Sequence, residues 1–107
     1  MIITLLNLNL YASVYKGHRL FQKKCLSCHG KALEFVIAKS TKEWMHIMRD
    51  NGSQLLLIHL KAFDEGTVEQ EKALKYFKGK RFPKNAPHYK DFLLEYASDT
   101  GNIPACD

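Results

Sequence analysis

Several features are missing from this sequence, and each omission narrows what the chain can be. No stretch reads convincingly as a β-strand, so the βαβ setting of a thioredoxin-type thiol pair is absent. There are only three cysteines, Cys25, Cys28 and Cys106. No second close pair of Cys or His follows the first, which leaves a four-ligand zinc site short of donors. The most apolar run, Met1 to Leu10, is too short to span a membrane. No internal repeat or low-complexity linker divides the 107 residues, the length of one small domain with a modest core. Acidic residues number 11 against 16 Lys and Arg, a formal charge of +5. The basic residues are scattered along the chain and the Lys-rich stretch Lys78–Lys84 is short, which argues against a nucleic-acid partner. No acid–base pair or substrate pocket is legible, so an enzyme is not expected.

What is present is one pentad of chemistry-bearing residues, Cys25-Leu26-Ser27-Cys28-His29. Covalent haem attachment requires these three side chains in this order. Each thiol adds across one haem vinyl group, the two-residue gap spans the porphyrin edge, and the adjacent histidine lies under the iron. A thiol redox pair, half of a zinc site and a chance occurrence are the alternatives. The pentad resembles the haem-attachment motif of the c-type cytochromes. That resemblance implies a small, all-α, class I cytochrome c-like domain wrapped around one covalently bound haem c, with His29 as an axial ligand. The buried macrocycle would add apolar surface to the core. As second-shell partners of metal-binding histidines do, a backbone carbonyl is expected to accept a hydrogen bond from the other ring nitrogen of His29.

The coarse reading is helical throughout. Val14, His18, Phe21 and Cys25 recur at helical spacing and predict a first helix over Val14–Lys24. Gly17 and Phe21 resemble the family's N-terminal helix, where a small residue permits a close crossing with a later helix. A short helix is expected near Leu33–Ile37. Ser40-Thr41-Lys42-Glu43 is a capping box opening a helix whose apolar face includes Trp44, Ile47 and Met48. Asn51-Gly52-Ser53 breaks or kinks it before a second piece over Gln54–Lys61. Asp64-Glu65-Gly66 predicts a turn. Thr67-Val68-Glu69-Gln70 is a second capping box, for a helix to about Lys78 that Gly79 stops. Lys80 to Ala86 reads as a loop containing Pro83, Pro87 suits a first helical position, and the last helix runs from Pro87 to Ser98. Asp99 to Asp107 reads as a tail.

The second axial ligand decides the chemistry. In class I cytochromes it is usually a methionine in a loop ahead of a helix that ends in an aromatic or aliphatic pair and crosses the N-terminal helix. The segment Thr67–Phe77, ending Tyr76-Phe77, resembles that helix, and the position ahead of it by the family's interval holds His59. The resemblance therefore implies His29/His59 ligation. Met48 is the alternative distal ligand, because Trp44 followed by Met48 resembles a family variant with a methionine after a tryptophan. Met45, His46 and His88 are further candidates, and His18, just ahead of the attachment site, a weaker one. On a straight helix Met48 and His59 lie about 16 Å apart and cannot share an iron. Trp44 reads as a core or haem-wall aromatic.

The implied function is a single-electron carrier between redox protein partners, steered by its positive charge towards acidic docking surfaces. The alternatives are a haem-based CO or NO sensor with an open sixth site and, from the enzyme class, a small peroxidase-like protein or the haem subunit of a larger oxidoreductase. Residues 1–13 are uncharged and read as a short secretory h-region with Ala12 or Ser13 at a cleavage site, or as an N-terminal extension of the first helix; the cytochrome domain is 14–107. In this family attachment happens outside the cytoplasm, which implies export to the periplasm. The odd cysteine, Cys106, leads to the expectation of a monomer or weak disulfide-linked dimer.

Overall fold

A computed structural model describes residues 2–63 and 66–104, with side chains from residue 9 onward. Cys106 and the Asp64-Glu65 part of the expected turn lie outside the described residues. The described chain is all-helical, in the order α1 (Ile2–Lys24), α2 (Leu26–His29), α3 (Ala32–Val36), α4 (Thr41–Ala62), α5 (Val68–Lys78) and α6 (Arg81–Glu95). None of these helices is long and apolar enough to cross a membrane.

Helix starts follow from side chains that satisfy the free N–H groups of the first turn. At α4 the Glu43 N–H donates to Ser40 Oγ at 3.2 Å, and the Ser40 N–H donates to Glu43 Oε1 at 3.0 Å. At α5, Gln70 and Thr67 exchange the same pair of bonds at 3.2 Å each. Both capping boxes expected from the sequence are therefore closed in both directions. Gly79 ends α5, but in extended rather than left-handed backbone. The expected break in α4 is also there. Arg49 leaves helical geometry and Asp50, Asn51 and Gly52 take positive φ of 53°, 54° and 76°. Gly52 is required doubly, because a Cβ there would lie 2.7 Å from the Phe82 ring.

Three boundaries differ from expectation, one of them the end of the last helix, at Glu95 rather than Ser98. Helix α1 begins well before Val14, and its backbone runs unbroken through Ala12 and Ser13. Ser13 is tied into the fold, donating to Asp91 Oδ2 at 2.6 Å. Helix α6 begins at Arg81, not Pro87. Pro83 sits in its first turn, where a missing N–H costs nothing, and Pro87 is accommodated inside it. The reason is tertiary: Phe82 and Ala86 are buried, packed against Gly52 at the α4 break.

Helix α6 is the spine of the molecule, packed on α1 and α4. It, and not the segment Thr67–Phe77, crosses α1. The crossing passes through Gly17, where an added Cβ would collide with the His88 carbonyl oxygen and lie 2.7 Å from Phe92 Cβ. Phe92 is fully buried there, stacked on His18 at 5.0 Å and tilted against Phe21 at 5.7 Å. Trp44, Met48, Val36 and Leu93 complete the adjoining core.

The expected tail is partly structural. The Ser98 N–H donates to the Lys39 carbonyl at 2.9 Å, and the Asp99 carboxylate accepts from the Thr41 N–H at 2.8 Å and from the Thr41 hydroxyl. Those two Thr41 bonds hold the Asp99 carboxyl below its ordinary value. A carboxylate at a helix N-terminus is also favoured by the helix dipole. Because the folded-state value is depressed, the contribution is full above the ordinary carboxylate range and disappears as pH falls through the folded value. An Asp99→Ala variant is therefore expected to melt below the wild type at about pH 7, with the difference shrinking as the pH is taken down through the folded value. A melting difference that persists in acid would show that the Thr41 clasp is not its source.

Candidate functional site

The pentad follows directly from the end of α1. The Cys25 N–H donates to Phe21 O at 2.8 Å and the His29 N–H to Cys25 O at 2.9 Å, so the motif is wound as a further helical turn. Cys25 and His29, four apart, share one face of that turn. Gly30, at φ 76°, then turns the chain away in a conformation that disfavours a side chain.

The shared face opens onto an apolar cleft walled by α1, α2, α3, α4, α5 and α6. Cys25, His29 and His59 line it with Phe35, Phe77 and Tyr89. An adjoining recess is lined by Cys25, Cys28, His29, His59, Phe63 and Phe77. The four residues singled out from the sequence thus come together at one place. The His29 and His59 rings lie 5.9 Å apart, centre to centre, with their planes near perpendicular at 81°. Two imidazoles on one metal, at about 2 Å per metal–nitrogen bond, place their ring centres about 6 Å apart.

The electrostatics suit ligation. Burial lowers the His59 pKa, partly offset by a bond to Leu55, and burial with the neighbouring His59 lowers that of His29. Burial thus disfavours the charged form of both imidazoles, and the neutral form is the one that coordinates metals. His59 Nδ1 lies 2.7 Å from the Leu55 carbonyl. A carbonyl only accepts, so Nδ1 carries the proton and Nε2 keeps its lone pair for a ligand. This is the carbonyl partner expected of His29. Among the described residues it belongs to His59 instead, because within α4 the carbonyl four residues earlier lies under the ring. His29 is placed by ring contacts alone, edge-on to Phe35 at 4.8 Å. His59 also stacks on Phe77 at 4.1 Å.

The other distal candidates lie elsewhere. Met48 is 2% exposed and belongs to the core cluster, not the cleft lining. Met45 is exposed, and His46 bonds the exposed Arg49 at 3.0 Å. His18 stacks on Phe92. His88 Nδ1 meets Ser13 Oγ at 2.9 Å. That trio of Ser13, His88 and Asp91 has the composition of a nucleophilic triad but not its order. The Ser13 proton points to Asp91, so His88 donates to the hydroxyl and cannot act as its base. The trio ties α1 to α6. Trp44 is core, its indole N–H bonded to the Val36 carbonyl at 2.9 Å, with its ring stacked on Phe35.

Burial pushes the Cys25 pKa up to about 12, against the opposing bond from Tyr89. Cys25, Cys28, His29 and His59 line one recess, but among the described residues no three His, Cys, Asp or Glu side chains are arranged to hold a bare metal ion.

Whether the residues fit a haem is a separate question. The donor set and the apolar walls fit one. The open space along the cleft is only about 30 Å³, so the rings of Phe35, His29, His59 and Phe77 must part for a macrocycle to lie among them. The break at Arg49–Gly52 lies between the core half of α4 and the half that carries His59. Comparison with known proteins found no matching family model, no matching curated protein and no matching solved structure.

Proposed function

We propose that the chain is a small monohaem c-type cytochrome that carries single electrons. Cys25 and Cys28 would tether the haem, and His29 and His59 would ligate its iron. One observation carries this reading: the two thiols and the two imidazoles line a single recess beside the apolar cleft, with the imidazole ring centres 5.9 Å apart. Bound there, a haem supplies a one-electron iron couple. The protein's own residues do the rest. The Leu55 carbonyl holds the proton on His59 Nδ1, which fixes the tautomer and the ring. Phe35, Phe63 and Phe77 keep water from the cleft. Two imidazoles favour ferric iron relative to an imidazole–thioether pair and give a low potential. The approach of His59 to His29 favours electron transfer over the sensing of small ligands, which needs an open sixth position. Export to the periplasm follows from where attachment takes place in this family. The formal charge of +5 would steer the protein to acidic surfaces on its redox partners.

The test is attachment itself. Protein matured in a host competent for haem attachment is expected to be coloured and to keep its pigment in acidified organic solvent. The double variant Cys25→Ala/Cys28→Ala is expected to retain none. Colourless wild-type protein, or pigment released by the solvent, would overturn the proposal.

A further inference from the structure

Basic residues that are scattered along the chain meet in space. Lys24 ends α1, Lys72 and Lys75 lie on α5, and Lys80 and Arg81 open α6. With Tyr76 they wall a surface groove of about 600 Å³, and no Asp or Glu lines it. The volume lies within the range of sites for small organic ligands, about 300–1,000 Å³. A second concavity of about 360 Å³ shares Lys24, Lys72 and Tyr76, adds Lys23, has Glu69 as its acidic member and reaches Ser27 and Cys28.

Two observations show that this charge is unbalanced. Among the described residues none of the five cations forms an ion pair; Lys24 Nζ lies over the Tyr76 ring, 5.0 Å from its centre. Lys24 and Lys75 at least sit in the last turns of their helices, where the dipole favours a cation. Lys80 and Arg81 do not. They stand at the positive end of α6, which has no acidic residue in its first turn and no side-chain cap. Cations gathered at a helix N-terminus without a counter-charge repel one another and the dipole, and an anion there relieves both.

We infer that this groove binds a compact polyanion carrying adjacent phosphoryl groups, gripped from three helices by Lys24, Lys72, Lys75, Lys80 and Arg81. A concavity into which cations converge suits such a ligand better than a broad acidic protein face, which meets protruding side chains. Lys24 Nζ lies over one face of the Tyr76 ring and competes there with a nucleobase. Recognition is then of the phosphate chain, and inorganic tripolyphosphate binds as well as a nucleoside triphosphate. The groove itself is lined by none of Cys25, Cys28, His29 or His59, although Lys24 also lines the recess at the two thiols and Cys28 lines the second concavity; the inference does not rest on the haem proposal.

The experiment is calorimetric titration of the full chain at low ionic strength with sodium tripolyphosphate, with adenosine triphosphate, and with sodium sulfate at matched ionic strength. Saturable one-to-one binding of both phosphates and none of sulfate is expected. Lys75→Gln/Arg81→Gln is expected to weaken it about tenfold or more, through loss of two charge-assisted contacts. Lys42→Gln/Lys61→Gln removes the same net charge outside the groove and is expected to leave the affinity within about twofold. Equal weakening in the two variants would overturn the inference, as would a response that sulfate reproduces. Binding to phosphatidylglycerol vesicles without binding to tripolyphosphate would also overturn it, and would assign these lysines to a membrane surface.

Discussion

Replacing His59 with alanine is expected to leave the pigment attached and to change what its iron can bind. The attachment thiols are untouched, so colour is retained. Loss of the imidazole facing His29 is expected to convert the whole population from low-spin to high-spin optical spectra in both oxidation states. Carbon monoxide, without effect on the wild type, would bind the reduced variant, and the midpoint potential would rise as an electron-rich imidazole is removed. Met48→Ala is the complementary experiment. Met48 is 2% exposed in the core, so its truncation is expected to cost about 2–5 kcal/mol in urea denaturation and to leave the spectrum unchanged. The reverse pattern, a silent His59→Ala and a high-spin Met48→Ala, would transfer the distal role to the methionine.

Gly17→Ala is the second large effect. In an exposed helix interior, replacing Gly by Ala stabilises by about 1 kcal/mol. Here the sign is expected to reverse. The new methyl would meet the His88 carbonyl, with Phe92 Cβ 2.7 Å away, and a backbone carbonyl in the facing helix cannot swing aside. Helices α1 and α6 would have to separate, opening the packing around Phe92, Phe21 and His18. A loss of about 3 kcal/mol is expected, with a fall in melting temperature of more than about 10 °C at roughly 4–8 °C per kcal/mol. A neutral or stabilising result would mean that α1 and α6 do not cross at Gly17.

The parts of the fold legible in advance are those controlled by neighbours in the chain. Ser40 with Glu43, and Thr67 with Gln70, are three apart and close their caps as expected. Asn51-Gly52 marks the break in α4 because those residue types tolerate positive φ. The start of α6 was not legible. Pro83 and Pro87 read locally as a loop and a helix start, whereas Phe82 and Ala86 gain burial against Gly52 only if the helix begins at Arg81. The same limit hid the helix that crosses α1. Tyr76-Phe77 resembles the family's crossing pair in sequence, but it is α6 that fits the Gly17 notch. Asp99 reads as tail because its partner, Thr41, lies 58 residues earlier in the chain.

For the candidate site, the sequence alone determined the donors: two thiols and an imidazole in one helical turn, since a spacing of three and four residues sets which side chains share a face. Only the tertiary structure decided which distant imidazole faces His29, because that depends on how α4 folds back at its break to bring His59 beside Phe77. The charges follow the same division. Composition determined the excess of +5, but basic residues spread over three helices become one groove only where the C-terminal parts of α1 and α5 meet the start of α6. The physical reason is that hydrogen bonds and helical periodicity act over a few residues, whereas burial and electrostatics act between whatever the packing brings close.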